Sequence, residues 1–358
     1  MIEMQYNFPL LPGMAAQWRE RLRHAVDQLE DENFEELRPS FRTDMSAVIA
    51  TGAKWMGMPA ERTYLIEGVH HGTLIAMLAA GLAGQTIAVD ELAYTGALDQ
   101  ARALGSPLVA CRVDEEAMTP ESLQAVCAAA AKTEKPVRGV YLTPNVHNPL
   151  GTTASLARRE ALVAVARDFD LCILEDNAYG FMDPAAPAAI ATLAPERTFF
   201  VDGLSKCYAP ATRTGFITVP ERWKHAMHGA IKNTATGGSI VHARASASLI
   251  EDGTLAATIA AKNAEGATRN AAARALLGDR CHPGVKAAWH LWVRLPDGIS
   301  PQSFEARMRE RGILLTGGNW FAVAAGAPNG FRIALGGEPQ RERMMQGIET
   351  IAKELKIL

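Results

Sequence analysis

Net charge is scarce in this sequence: 36 Lys and Arg stand against 39 Asp and Glu, leaving −3 over 358 residues. A surface so nearly balanced carries no field that would gather nucleic acid or an anionic membrane, and neither is expected as a partner. Cysteine is also rare. The five present (Cys111, Cys127, Cys172, Cys207 and Cys281) are odd in number and show no C-x-x-C spacing. That excludes a disulfide framework and a zinc site, so no metal is expected. No apolar run reaches the roughly 18 residues of a membrane span. The first thirteen residues lack the basic stretch and apolar core of an export signal. These absences predict a soluble cytoplasmic protein whose cysteines are small core residues.

What is plentiful is apolar sequence, 48% of the chain, enough to bury one large core or two medium ones. From about residue 59 to 219, short β-rich runs alternate with longer helical patterns. Strands are expected at 86–89, 108–112, 139–143, 171–175, 198–201 and 215–219, and helices at 120–131 and 156–169. Such alternation predicts an α/β fold with a mostly parallel central sheet covered by helices. Alanine-rich periodic sequence over 222–277 predicts one or more long helices. The remainder reads strand 288–295, helix 301–311, strand 312–316, strand 330–335 and helix 340–355, a small α+β unit. One helix is expected near 15–29, followed by irregular chain.

Four segments place polar residues where expected strands end, the edge at which open α/β sheets bind ligands. Residues 143–151 read TPNVHNPLG, a turn with Asn148 in it. Residues 173–180 read ILEDNAYG: an apolar strand ends in two carboxylates, with Tyr179 three residues beyond Asp176. A carboxylate there needs a partner, which a helix cap or a nearby arginine also supplies. Residues 200–215 contain FVDGLSK and then Arg213. A lysine directly behind a buried strand, with an arginine seven residues on, suits an amine activated by desolvation or a neighbouring cation. Arg213 also suits a phosphate. Residues 329–335 read NGFRIAL, placing Arg332 inside a strand, where a salt bridge is the ordinary role.

Asn148, Asp176, Tyr179, Lys206, Arg213 and Arg332 follow one another at intervals of 28, 3, 27, 7 and 119 residues. In that order and spacing the chain resembles the class I/II aminotransferases of pyridoxal 5′-phosphate (PLP) fold type I. It most resembles the aminotransferase half of MocR-type regulators, in free-standing form. The likeness runs from about Phe8 to Leu355 and includes LTPNVHNPLG at 142–151, GLSKCYAPATRTG at 203–215 and APNGFRIAL at 327–335.

The resemblance implies an N-terminal segment (1–45) that belongs with the small domain and covers the site. It further implies a large PLP-binding domain (46–245), then an interdomain helix and small domain (246–358). Lys206 would hold the cofactor as a Schiff base and then shuttle a proton. Asp176 would keep the pyridine nitrogen protonated. Asn148 and Tyr179 would bond the phenolic oxygen, and Tyr94 would stack on the ring. The phosphate would sit at the helix start of Gly68, Val69 and His70, closed by Ser205 and Arg213. Arg332 would take the substrate carboxylate. Tyr6, Phe8, Trp320 and Phe321 would line the side-chain pocket and favour apolar or aromatic substrates.

The implied activity is ping-pong transamination between an L-amino acid and a 2-oxo acid in a homodimer. A PLP-dependent lyase, racemase or decarboxylase, or a non-catalytic sensor domain, stays open. The first forty residues, with eight acidic and four basic side chains, do not hold a winged helix. Three departures from the pattern stand out. Gly203 replaces the usual phosphate-binding hydroxyl, His70 and His71 occupy the helix-opening loop, and 39–46 offers no clear tyrosine for the neighbouring subunit. Residues 236–239 (TGGS) fall where relatives reach across to that neighbour.

Overall fold

The computed structural model describes residues 1–29, 38, 40, 43–235 and 237–357. In chain order the elements begin β1 (Ile2–Glu3), α1 (Met14–Asp27), α2 (Ser46–Met56), β2 (Thr63–Ile66), α3 (Val69–Ala79), β3 (Thr86–Asp90), α4 (Thr95–Ala103) and β4 (Leu108–Cys111). A small hairpin, β5 (Val113–Asp114) and β6 (Ala117–Met118), precedes α5 (Pro120–Ala130), β7 (Val137–Leu142), α6 (Leu156–Asp168), β8 (Cys172–Asp176) and α7 (Ile190–Leu193). Then come β9 (Thr198–Gly203), the single turn α8 (Leu204–Cys207), β10 (Gly215–Thr218), α9 (Lys224–Thr234), α10 (Ile240–Glu251) and α11 (Thr254–Leu277). The last part holds β11 (His290–Arg294), α12 (Pro301–Glu310), β12 (Ile313–Leu314), β13 (Thr316–Gly317), β14 (Gly330–Ala334) and α13 (Arg341–Ile357).

Seven strands form the central sheet in the order β2-β10-β9-β8-β7-β3-β4. β10 alone runs against its neighbours; the pairings among β9, β8, β7, β3 and β4 are parallel. Helices cover both faces, so β3, β8 and β9 are buried along their whole length. That is why these strands read as unbroken apolar runs rather than alternating ones. The helices start where the sequence puts hydroxyls. Thr119, Ser155, Ser239 and Ser300 each accept a backbone N–H in the first turn, and Pro120 and Pro301 stand at the first helical position.

The expected strands of the central sheet all occur, with ends shifted by one or two residues. The 222–277 stretch, expected as one or more helices, is three, because Gly253 at φ 80° ends the run after α10 and Ser239 starts α10 afresh. The 312–316 strand is two: β12 pairs in parallel with β1, and β13 pairs with β14. Helix α2 lies in sequence for which no element is expected; its Gly52 lets the Phe216 ring pack where a side chain would begin.

The second, smaller sheet, β11-β14-β13, packs its own apolar cluster against α12 and α13. The N-terminal segment contributes to both halves. β1 joins the β12 strand, Ala334 N–H donates to the Met4 carbonyl, and α1 packs on α10. Between β1 and α1 the chain is drawn as a strap across the carboxyl edge of the central sheet.

Candidate active site

A cavity of about 230 Å³ opens at that carboxyl edge. Strand ends deliver its walls: Gly68, Val69 and His70 follow β2, and Tyr94 follows β3. Thr143 and Asn148 follow β7, Asp176 and Tyr179 end β8, and Ser205 and Lys206 follow β9. Arg213 precedes β10. Nine of the residues expected from sequence therefore meet in one place.

Its acidic part is built on Asp176, a buried carboxylate. Oδ2 accepts from the Tyr141 hydroxyl at 2.7 Å, and Oδ1 accepts from the Ala178 N–H at 2.9 Å. Burial raises the Asp176 pKa; the Tyr141 hydroxyl, the Ala178 N–H and the nearby Lys206 charge oppose that rise. Tyr141 is a functional residue that sequence reasoning missed. The available signal was a tyrosine inside a buried strand, since a buried phenol needs a partner.

Beneath this floor runs a chain of buried amides and charges. Arg159, fully buried on α6, donates to Asn145 Oδ1; Asn145 donates to Asn177 Oδ1 at 2.7 Å, and Asn177 donates to Asp202 Oδ2 at 2.6 Å. Asp202 also accepts the Gly203 N–H. Burial pushes the Asp202 carboxyl up to about 7 despite these two donors. The network ties the segments after β7, β8 and β9 to each other, which fixes the relative positions of Asp176 and Lys206.

The opposite part of the cavity is a set of donors. Helix α3 starts at Gly68, φ 84° and ψ 170°, a conformation open to glycine, and no side chain caps its first N–H groups. Ser205 Oγ lies 3.3 Å from where a Gly68 side chain would begin. Arg213, held at φ 46°, lines the same region and makes no ion pair with any described residue. An uncapped helix start, a hydroxyl and an unpaired guanidinium together fit a phosphate. His71 faces elsewhere. Its Nδ1 accepts the Glu67 N–H at 3.1 Å, its Nε2 meets Thr234 Oγ1 at 2.8 Å, and burial, then the Arg213 charge, push its pKa down to about 4. His70 lines the cavity with its ring edge-on to Tyr94, 6.4 Å between centroids. Gly203 has a steric reason. A Cβ there would stand 3.0 Å from the Thr214 carbonyl oxygen and 3.1 Å from Gly215 Cα, so a side chain at 203 would require the β10 backbone to give by a few tenths of an ångström.

Arg332, on β14, lies behind Asn148 rather than on the cavity wall. One terminal nitrogen donates to Asn148 Oδ1 at 2.8 Å and the other to the Gln5 carbonyl at 2.6 Å, while the buried Nε has no partner. Lys206 Nζ donates to the Asn7 carbonyl at 2.9 Å and sits 4.1 Å from the centre of the Phe8 ring. The strap thus covers both cations with backbone oxygens. Asn7 is held in turn by His290 Nδ1 at 3.2 Å. Tyr6 and Trp320 are not on the cavity wall. Tyr6 is 57% exposed and stacks on Phe8; Trp320 is 56% exposed, and its indole N–H donates to Glu305. Thr236 and three residues of the 39–46 segment (39, 41 and 42) lie outside the described residues; Ser239 caps α10.

A profile described as "Aminotransferase class I and II" matches residues 12–351. The chain belongs to that family. It is 28% identical over 298 residues to the mouse kynurenine/alpha-aminoadipate aminotransferase, covering 76% of this chain and 69% of that protein. To the HTH-type transcriptional regulator YdeF of Bacillus subtilis it is 25% identical over 273 residues, 76% of this chain and 58% of the regulator. The chain thus spans roughly six to seven tenths of the length of these relatives. In structure it superimposes on an archaeal alanine:glyoxylate aminotransferase with a TM-score of 0.89 at 20% identity, covering 100% of this chain and 91% of that one. The Pyrococcus horikoshii kynurenine aminotransferase, solved with PMP, gives 0.88 at 20% identity with the same coverage. The fold is therefore PLP fold type I. Among the described residues no helix is long and apolar enough to cross a membrane, and no cluster of three His, Cys, Asp or Glu could hold a metal.

Proposed function

We propose that this family member is a pyridoxal 5′-phosphate-dependent aminotransferase that interconverts an L-amino acid and its 2-oxo acid, one half-reaction at a time. The observation that carries the reading is the convergence on one cavity of the Lys206 amine, the Asp176 carboxylate and an uncapped helix start beside the unpaired Arg213. A molecule with an aldehyde, a basic ring nitrogen and a phosphate is what such a set of groups would hold. When bound, that cofactor supplies an electron sink for the carbanion left when the substrate Cα–H bond breaks.

The residues divide the work. Lys206 Nζ holds the cofactor covalently and, once released, moves the proton at the substrate Cα. Asp176, kept in place by Tyr141 and Ala178, holds a proton on the ring nitrogen. Asn148 and Tyr179 orient the ring through its phenolic oxygen, and Tyr94 covers one face. The N–H groups of Val69 and His70, Ser205 and Arg213 bind the phosphate. Arg332 binds the substrate carboxylate in place of the Gln5 carbonyl. Phe8, on the cavity wall, favours an apolar or aromatic substrate side chain. Two copies of the chain assemble as a homodimer, which light scattering would read directly.

The test is a half-reaction. Protein loaded with cofactor is mixed with a panel of amino acids without any oxo acid, and the absorbance is followed. Transamination leaves the pyridoxamine form and releases one 2-oxo acid per site. A site that consumes amino acid without leaving pyridoxamine would reassign the protein to another reaction. Lys206→Ala should abolish both the cofactor's visible band and turnover; activity persisting in that variant would end the assignment.

A further inference from the structure

Lysine 262 is the most unusual charge in the molecule outside the cavity. It sits midway along α11 with no exposed surface. Its Nζ donates to the carbonyl of Lys206 at 2.9 Å and to the carbonyl of Tyr208. Burial pushes its pKa down to about 8; among the described residues the titratable groups that act on it are the Cys207 thiol and Lys206, and no carboxylate is one of them. An ammonium buried without a counter-charge costs stability, so its place demands a reason.

The sequence around Lys206 supplies one. α8 is a single turn that closes with the Tyr208 N–H donating to the Leu204 carbonyl. A helical donor to the Lys206 carbonyl would be the N–H of residue 210, but residue 210 is proline and has none. The carbonyl of Lys206 is thereby left without a donor from its own chain segment, inside the protein, at the negative end of the turn. Lys262 provides that donor. It reaches over from a 24-residue helix that is anchored elsewhere, through the Trp289 indole N–H on the Lys262 carbonyl and the Asn263 side chain on the Phe181 carbonyl.

We propose that Lys262 is a positioning residue: by holding the carbonyls of Lys206 and Tyr208 it fixes the turn that aims the Lys206 amine into the cavity. The proposal rests on the role given to Lys206 above. In the step it serves, the Lys206 amine adds to the aldehyde carbon of the cofactor, a C=N bond replaces C=O, and the oxygen leaves as water. Apart from Ser205, which shares the turn, the cup for phosphate and ring nitrogen is built by other segments, so Lys262 should govern attachment far more than the binding of the ring itself.

Two ligands separate these effects. Pyridoxal 5′-phosphate can bond to Lys206; pyridoxamine 5′-phosphate fills the same cup but has no aldehyde. The rate of attachment is read from the visible absorbance of cofactor-free protein mixed with the first. Affinity for the second is read by fluorescence titration. In Lys262→Met the attachment rate should fall at least about tenfold, as expected for a misaimed reacting group, with pyridoxamine phosphate affinity changed less than about threefold. Lys262→Gln, which keeps one N–H donor, should fall between this variant and the wild type, and it decides the question if the methionine variant does not fold. Attachment by the methionine variant that stays within tenfold of wild type, attachment by the glutamine variant at the wild-type rate, or affinity for both ligands lost in step in either variant overturns the proposal. Wild-type protein that never attaches the aldehyde overturns the reading of Lys206 itself.

Discussion

Replacing Arg332 with alanine tests the substrate end of the site and touches the cofactor cup only through Asn148. The guanidinium is buried, bonded to Asn148 and to the Gln5 carbonyl, and has no acidic partner to neutralise it. A substrate carboxylate that takes the place of the Gln5 oxygen gains a charge-assisted bond in a nearly dry setting, and removing one partner of such a pair costs about 3–5 kcal/mol. On the rate scale that is roughly two to four orders of magnitude in kcat/KM. The decisive measurement compares an amino acid with the amine that lacks only its carboxylate. Wild type should prefer the acid by that margin, and Arg332→Ala should lose most of the preference while taking up cofactor as before. A variant that still discriminates as strongly as wild type would refute the assignment of Arg332.

Three further outcomes follow from the same geometry. Tyr141→Phe removes the hydroxyl that holds the Asp176 carboxylate, a charge-assisted bond worth about 1.5–3 kcal/mol, so cofactor affinity should drop roughly tenfold to a hundredfold; unchanged affinity would place Asp176 outside cofactor binding. Arg159→Met strands Asn145 Oδ1 and the carbonyls of Ala154, Pro187 and Ala188, and urea unfolding should show a loss of roughly 3–5 kcal/mol, whereas a variant as stable as wild type would show that the network beneath the site is idle. His290, which burial and then the Arg332 charge push down to about 3, is neutral in the folded protein, while the unfolded chain binds its proton near pH 6.5. Its contribution is therefore present above about pH 6.5 and is lost as pH falls towards 3, at roughly 1.4 kcal/mol per unit. The stability difference between wild type and His290→Gln should change by about 2 kcal/mol between pH 7 and pH 5, and a constant difference would contradict the neutral assignment.

The fold was legible where strands are buried on both faces and end abruptly in polar residues, as β8 and β9 do. The site residues on those ends were legible for the same reason, helped by their spacing. What stayed hidden depends on partners far along the chain. Asn7 and Lys206 are 199 residues apart, and nothing in either neighbourhood announces the other. Tyr141 reads as core until Asp176 is placed 35 residues later. Lys262 sits in an alanine-rich helical run and looks like an ordinary surface lysine until α11 is laid against α8. The glycine at 203 reads in sequence as a missing ligand, and the close approach of the β10 backbone there is visible only in the fold.

The strap gives both cations a neutral companion. Its Gln5 and Asn7 oxygens are uncharged, so an anion competes for Arg332 with an advantage that a neutral molecule lacks. Because the two carbonyls stand two residues apart on one short ribbon, the surroundings of the guanidinium and of the amine share a single stretch of backbone.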